Sequence, residues 1–190
     1  MLNRRCIVRG IGAAALFPFV SHGASAQPAM SRSTAFAFAF RTIDRRELRL
    51  ADHTGRPVLV VNTASLCGFT PQYAGLETLW MRYRDRGLLV IGVPSNDFGG
   101  QEPGGAPEIH ATAHRHGVTF PLAEKVSVRG ETAHPFYRWA AIQRPGETPR
   151  WNFHKYLIGR DGTLAAAFGS MVDPTDSRIV AAIERQLPAS

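Results

Sequence analysis

The chain has 190 residues, of which 44% are hydrophobic and 19% charged, and its formal net charge is +7 at pH 7. This length and composition suit one globular domain with a hydrophobic core and exclude a repeat or low-complexity protein. The basic residues are dispersed among acidic ones, which favours a solvated surface and predicts no nucleic-acid partner.

The N-terminal residues have the features of an export signal. Arg4 and Arg5 open a positively charged start, residues 10–20 form an apolar run, and Ala24-Ser25-Ala26 fits a signal-peptidase site. The apolar run is too short for a membrane span, which needs roughly 20 residues, so we expect no stable membrane insertion. Residues 3–9 resemble the twin-arginine export signal, and the general secretory route is the alternative.

Three segments are therefore predicted: a signal peptide over residues 1–26, a flexible tail over 27–34 and one domain over 35–190. The expected location is outside the cytoplasm, in a bacterial periplasm. Cleavage would remove three arginines and lower the net charge from +7 to +4. It would also remove Cys6 and leave Cys67 alone, which excludes an internal disulfide in the mature chain.

The first predicted elements are a hairpin and a strand–helix unit. Residues 35–40 alternate Ala and Phe as a half-buried strand does, and residues 47–50 alternate again after a turn. The apolar run 58–62 predicts a buried strand. Large apolar side chains at three- and four-residue spacing predict a helix over 72–86, with Gly87 as its stop.

The remaining pattern completes a mixed sheet. A second apolar run at 88–93 predicts a strand parallel to the first, joined by a right-handed crossover. After a Gly- and Pro-rich loop over 94–107 we expect, in order, a helix at 108–116, a strand near 119–120, a helix at 132–142, a hairpin over 156–168 turning at Asp161-Gly162, and a helix at 174–187. The fold class is therefore α/β: a thioredoxin-like fold with a central mixed β-sheet flanked by helices and an N-terminal β-hairpin.

Cys67 lies where the first central strand gives way to a helix. A thiol near helix amide dipoles loses its proton more easily than a free cysteine side chain, which makes Cys67 a candidate nucleophile. The alternative is a small buried hydrophobic residue.

Three polar side chains are candidates to meet Cys67. Gln101 lies in the loop that leaves the second parallel strand, and Trp151 and Asn152 precede the strand at 156. Sites in open sheets form at the carboxyl ends of strands. Amide and indole N–H groups are neutral donors that stabilise a thiolate. Each residue also has an ordinary interpretation: Gln101 as a solvent-exposed loop residue, Trp151 as a core residue and Asn152 as a turn former.

Three segments together resemble the glutathione peroxidase family. Residues 60–73, with Asn62-Thr63-Ala64-Ser65-Leu66-Cys67-Gly68-Phe69-Thr70 at their centre, resemble the segment around the peroxidatic residue of that family. Residues 94–104 are similar to its glutamine loop, and residues 151–158 to its Trp-Asn segment. The resemblance runs in the right order from about residue 40 to residue 187.

The resemblance implies that Cys67 is the peroxidatic nucleophile, in the cysteine form, and that Gln101, Trp151 and Asn152 complete the catalytic group of four. The implied activity is thiol-dependent reduction of hydrogen peroxide and of organic or lipid hydroperoxides through a Cys67 sulfenic acid. No cofactor is expected apart from a thiol co-substrate, either glutathione or a protein thiol.

The chain departs from the family pattern after the glutamine loop. Many family members carry a resolving cysteine in the helix that follows, whereas residues 108–117 contain none. An external thiol is therefore expected to resolve the sulfenic acid. The short connection over 143–150 resembles that of the monomeric members, which accept bulky peroxides, so a monomer is expected.

Three other interpretations stay open. His110, His114 and His116 suggest a metal site, although no carboxylate or cysteine stands at a recognisable spacing. A thiol–disulfide oxidoreductase needs Cys-X-X-Cys, but Thr70 occupies the second position. A peroxide sensor that forms a mixed disulfide with a partner protein needs the same reactive Cys67 as a peroxidase.

Overall fold

The computed structural model describes residues 33–188. The predicted signal peptide, most of the predicted tail and the last two residues lie outside this range. Within it, no helix is long and apolar enough to cross a membrane.

The N-terminal hairpin is confirmed, but it is shorter than predicted. Strand β1 (Ala39–Arg41) pairs antiparallel with β2 (Glu47–Arg49). Residues Ala35–Ala37 form a 3-10 turn instead of a strand, because the Ala37 and Phe38 amides bond to carbonyls three residues earlier. The alternating phenylalanines nevertheless reach one core cluster, since Phe36, Phe38 and Phe40 all contact it.

The central sheet is mixed, as predicted. It comprises β3 (Val58–Thr63), β4 (Leu89–Pro94), β5 (Lys155–Ile158) and β6 (Leu164–Phe168), in the order β4-β3-β5-β6. Strands β3 and β4 are parallel, and β5 is antiparallel to both β3 and β6. The β5–β6 turn contains Gly162 at φ 79°, a left-handed conformation that favours glycine.

The helices are α1 (Gln72–Tyr83), α2 (Ala106–Arg115), α3 (Pro135–Gln143) and α4 (Ser177–Gln186). Helix α1 passes into a 3-10 turn at Arg84–Arg86 and stops at Gly87, whose φ is 102°. The predicted stop is therefore confirmed, because a left-handed residue ends a helix at little cost when it lacks a Cβ. The predicted helices at 132–142 and 174–187 begin three residues later in the structure.

The predicted strand near Thr119 and Phe120 is wrong. The chain instead touches the sheet through single bridges at Leu122 and Ala123. Pro121 has no N–H to give to a ladder, which limits pairing here. The approach is close, because a Cβ added at Gly92 would lie 2.6 Å from Leu122 Cδ2.

The sheet separates two apolar layers, and alternation along β3 assigns side chains to them. Leu59 and Val61 face the layer that contains Cys67 and is covered by α1, α2 and α4. Val58 and Val60 face the layer covered by α3 and the N-terminal hairpin. Cys67 therefore lies on the α1 side of the sheet, just beyond the carboxyl end of β3.

Candidate active site

The Cys67 loop connects β3 to α1 and buries the sulfur. Cys67 is 6% exposed. The Phe69 backbone N–H donates to its Sγ at 3.4 Å, so an amide from the approach to α1 faces the sulfur. This is the environment expected for a candidate nucleophile at the start of a helix.

Thr70 fixes the shape of this loop. Its Oγ1 accepts from the Cys67 N–H at 3.2 Å. The same hydroxyl lies 2.8 Å from the Ala64 carbonyl oxygen and 2.7 Å from that of Cys67. The residue in the second position of the Cys-X-X-Cys spacing is thus a buried anchor of the loop.

Gln101 and Asn152 lie in direct contact. Asn152 Nδ2 donates to Gln101 Oε1 at 2.9 Å, and Asn152 is fully buried. The Leu66 N–H donates to the Gln101 carbonyl at 3.0 Å. The glutamine loop is therefore joined both to the Cys67 loop and to the segment before β5.

Trp151 packs on the same glutamine loop. Its ring lies 6.0 Å from that of Phe98, and a Cβ added at Gly99 would lie 3.4 Å from its Cη2. The residue is 39% exposed. An indole that is half open to solvent can offer its N–H to a molecule that enters the site.

The three candidate donors thus meet around one loop beside Cys67. Among residues 33–188, the Phe69 amide is the group that hydrogen-bonds to Sγ, and Gln101, Trp151 and Asn152 make no hydrogen bond to it. The Leu66 N–H, which donates to the Gln101 backbone carbonyl, is a contact that joins the glutamine loop to the Cys67 loop.

Asn62 supports the site and was missed from the sequence. It lies in β3, where its Nδ2 donates to the Trp151 carbonyl and its Oδ1 accepts from the His154 N–H, both at 3.1 Å. The turn that it holds includes Phe153 at φ 61°. The available signal was a polar residue in an otherwise apolar strand, since a buried amide needs partners.

Glu102 was also missed, and its carboxyl group is buried. Ser65 Oγ donates to Oε2 at 3.1 Å, while Oε1 has no partner among the described residues. Burial raises the pKa of Glu102, an effect that the Ser65 hydrogen bonds and the Lys125 charge oppose. The side chain provides a second link between the glutamine loop and the Cys67 loop.

Lys155 is an unpredicted buried cation in β5. Its Nζ donates to Gln72 Oε1 at the start of α1 and to the Val172 carbonyl at 2.6 Å. Burial lowers the pKa of Lys155 from 10.5 to about 8, although the Asp173 charge opposes the shift. Lys155 therefore ties the first turn of α1 to the sheet.

The histidines in and just after α2 make ring contacts. His110 and His114 have nearly parallel rings 6.4 Å apart, and His116 lies 5.9 Å from the Tyr73 ring. Within the described range, no group of three or more His, Cys, Asp or Glu side chains is placed to hold a metal ion.

Comparisons with known proteins point to one family. The glutathione peroxidase family model matches residues 35–141. The chain is 43% identical over 169 residues to the hydroperoxy fatty acid reductase gpx1 of Synechocystis, covering 84% of this chain and 99% of that protein. It is 42% identical to the glutathione peroxidase-like peroxiredoxin GPX5 of Chlamydomonas reinhardtii, covering 76% and 92% respectively.

Solved structures give the same result. The crystal structure of Trgpx in its apo form is similar with a TM-score of 0.66 and 36% identity, over 83% of this chain and all of that one. A thiol:disulfide interchange protein of the thioredoxin family from Chlorobium tepidum has a TM-score of 0.61 at 14% identity, over 82% and 97% of the two chains, which confirms the thioredoxin-like fold. The family model and the two relatives together place the chain in the glutathione peroxidase family.

Proposed function

We propose that the protein reduces hydroperoxides with Cys67 as the attacking residue and an external thiol as the reductant. Family membership supports thiol-dependent peroxide reduction. The observation that carries the assignment to this site is the contact between Asn152 and Gln101, on a loop that is also bonded to Leu66. It gathers the candidate donors beside the only cysteine among residues 33–188.

The reaction begins at the sulfur. The Cys67 thiolate attacks one oxygen of R–O–O–H, so that an S–O bond forms and the O–O bond breaks. The sulfur is oxidised to a sulfenic acid and the peroxide is reduced to an alcohol, after its leaving oxygen takes up a proton. For hydrogen peroxide the product is water.

The donors act on the peroxide oxygens. Because Gln101 Oε1 accepts from Asn152, the Gln101 Nε2 hydrogens remain for a molecule in the site. The half-exposed Trp151 indole supplies another N–H. Hydrogen bonds that strengthen as charge develops on the leaving oxygen are worth roughly 10- to 1000-fold in rate each.

Two thiols then restore the enzyme. The first condenses with the sulfenic acid to give a mixed disulfide and water, and the second attacks that disulfide, which releases Cys67 and an oxidised thiol pair. Glutathione or a protein thiol would serve. In this proposal the chain is exported, with residues 1–26 removed, and acts as a monomer without a bound cofactor. The name of the Synechocystis relative supports lipid hydroperoxides among the substrates.

Mass spectrometry after one equivalent of peroxide tests the chemistry. We expect Cys67 to gain one oxygen, and added glutathione to convert that species into a mixed disulfide. Cys67→Ser should abolish turnover while the circular dichroism spectrum is unchanged, and turnover retained by this variant would refute the assignment. A wild-type protein that stops at a mixed disulfide, without steady-state turnover, would indicate a peroxide sensor instead.

A further inference from the structure

A second concave surface lies beside the site, and we propose that it binds the acyl chain of a free fatty acid hydroperoxide. This inference rests on the proposed function for its chemistry, but it concerns a different part of the molecule. The groove has a volume of about 640 Å³. Ligand pockets in proteins typically measure about 300–1,000 Å³.

The groove runs between the loop 128–133 and one face of α3. Its floor and walls are mainly apolar and include Val128, Ala133, Ala141, Ile142 and Pro149. Arg138, Ala141 and Ile142 stand three and four positions apart, so they share a helical face. An apolar surface of this kind favours methylene groups over a charged peptide.

The groove adjoins the candidate active site through aromatic contacts. Arg129 lines the groove, and its Cζ lies 5.1 Å above the Phe98 ring. That ring in turn lies 6.0 Å from the ring of Trp151. Arg150 alone separates the groove wall at Thr148 and Pro149 from Trp151 in the chain. In this proposal a long substrate passes over Phe98 and Trp151, from the groove on the α3 side of the sheet to Cys67 beyond the end of β3.

Asp97 holds the wall of the groove to the glutamine loop. Its Oδ2 accepts from the Val128 N–H at 2.6 Å, from the Ser127 hydroxyl at 2.8 Å and from the Arg129 N–H at 3.2 Å. One carboxylate oxygen thus fixes three consecutive residues to the loop that carries Gln101. Asp97 therefore connects one wall of the groove to the loop that carries Gln101.

The charge of the rim favours a carboxylate. Arg129 and Arg138 are both exposed there, together with Glu131. Arg138 donates to the Glu131 backbone carbonyl at 3.2 Å, and within residues 33–188 neither arginine forms an ion pair. Tyr137 lines the groove as well, with a buried hydroxyl that has no partner in the described part of the chain.

These features select an occupant with one anionic head and a long apolar chain. The carboxylate would lie at the arginines, the first methylene groups in the groove and a mid-chain hydroperoxide at Cys67. Glutathione has two carboxylates, an ammonium group and little apolar surface, so it matches the groove poorly. The geometry therefore assigns the groove to the peroxide substrate and not to the reductant.

Binding can be measured without turnover. Calorimetry on Cys67→Ser protein should detect linoleic acid at concentrations below its micelle threshold. Ala141→Trp, which fills the groove, should weaken binding about tenfold or more, because the ligand can then bury less of its apolar surface. Arg138→Gln should weaken it about threefold, the scale of an exposed ion pair, and should not affect methyl linoleate. Ala111→Trp, on the exposed face of α2, is the matched control and should bind like the parent.

Kinetics separate this inference from the proposed function. We expect Ala141→Trp to lower the ratio of kcat/KM for linoleic acid hydroperoxide to kcat/KM for hydrogen peroxide about tenfold. Absence of activity on every peroxide, with linoleic acid still bound in the groove, would refute the proposed function alone. The groove assignment would be contradicted if the protein reduced hydrogen peroxide, did not bind linoleic acid, and showed the same ratio of kcat/KM values in the wild type and in Ala141→Trp. Arg138→Gln could instead lower kcat/KM for phospholipid hydroperoxides in anionic vesicles and leave kcat/KM for the free acid hydroperoxide unchanged. That result would contradict a free fatty acid as the occupant and would indicate a membrane-bound substrate.

Discussion

Asn152, which is fully buried, donates its side-chain N–H to the side-chain oxygen Oε1 of Gln101 at a distance of 2.9 Å. This bond fixes which end of the Gln101 amide is occupied. The oxygen is engaged and the two N–H groups are left for a ligand, so in the proposed reaction Asn152 acts through the orientation of Gln101.

Removing this contact should slow the oxidation of Cys67. We expect Asn152→Ala to lower the second-order rate constant for hydrogen peroxide roughly 10- to 100-fold, because Gln101 can then turn its oxygen toward the substrate. Stopped-flow fluorescence measures the rate, and urea denaturation shows whether the fold is retained. A folded variant that reacts at the wild-type rate would contradict the positioning role.

The indole N–H of Trp151 can be tested apart from its ring. Trp151→Phe keeps an aromatic ring against Phe98 and Gly99 but removes the donor, so we expect about a tenfold slower oxidation of Cys67. Trp139→Phe is the control, since the indole of Trp139 donates to the Ser33 carbonyl. Equal rates for wild type and Trp151→Phe would exclude a role for this donor.

The buried ammonium of Lys155 predicts a pH dependence of stability. Because burial lowers the pKa of Lys155 to about 8, the unfolded chain binds a proton between pH 8 and 10.5 that the folded chain does not. The free energy of unfolding should therefore rise with pH across this interval. Lys155→Met cannot titrate at this position. Relative to it, the free energy of unfolding of the wild type should increase by up to about 3 kcal/mol between pH 8 and 10.5.

Urea denaturation at several pH values measures this difference. The exposed Arg160→Met variant controls for the loss of one positive charge and should follow the wild type. A wild-type curve parallel to that of Lys155→Met would show that the ammonium is not penalised in the folded state.

His154 predicts sensitivity to acid. It is buried against the Tyr156 ring at 4.6 Å, and burial, with the Lys155 charge, lowers the pKa of His154 from 6.5 to about 4. Between these values the unfolded chain takes up a proton and the folded chain does not, so stability falls as the pH drops from 6.5 to 4.

His154→Phe keeps a ring on Tyr156 and cannot take up the proton. We expect it to lose less stability than the wild type on acidification, by up to about 3 kcal/mol. Thermal unfolding at pH 7 and about pH 4.5 checks this, with the exposed His110→Phe as the control. The same loss in wild type and His154→Phe would rule out His154 as the source.

Periodicity predicted the elements whose side chains are buried in the two apolar layers. The apolar runs at 58–62 and 88–93 became β3 and β4 in parallel, because continuous apolar strands are stable only when both faces are covered. Alternation failed at Ala35–Ala37, where local hydrogen bonds formed a 3-10 turn while Phe36 still reached the core. The sequence pattern therefore predicts which side chains reach the core better than it predicts the backbone conformation of the segment.

Some residues of the candidate site could be predicted from the sequence, and others could not. Gln101, Trp151 and Asn152 were candidates from their positions near strand ends and from the family resemblance, and the structure places them on adjoining segments. Asn62 and Glu102 are buried polar groups whose partners are 37 or more residues away in the chain. Sequence spacing carries no information about such distant partners, so folding alone reveals these supports.

The burial of Cys67 limits which molecules can approach its sulfur. With 6% of the residue exposed, a slender alkylating agent such as iodoacetamide should label it far faster than a maleimide attached to a polymer. The same restriction should apply to the reductant: a small thiol should reach the sulfur more readily than a protein, which would have to present its cysteine at the tip of a protruding loop.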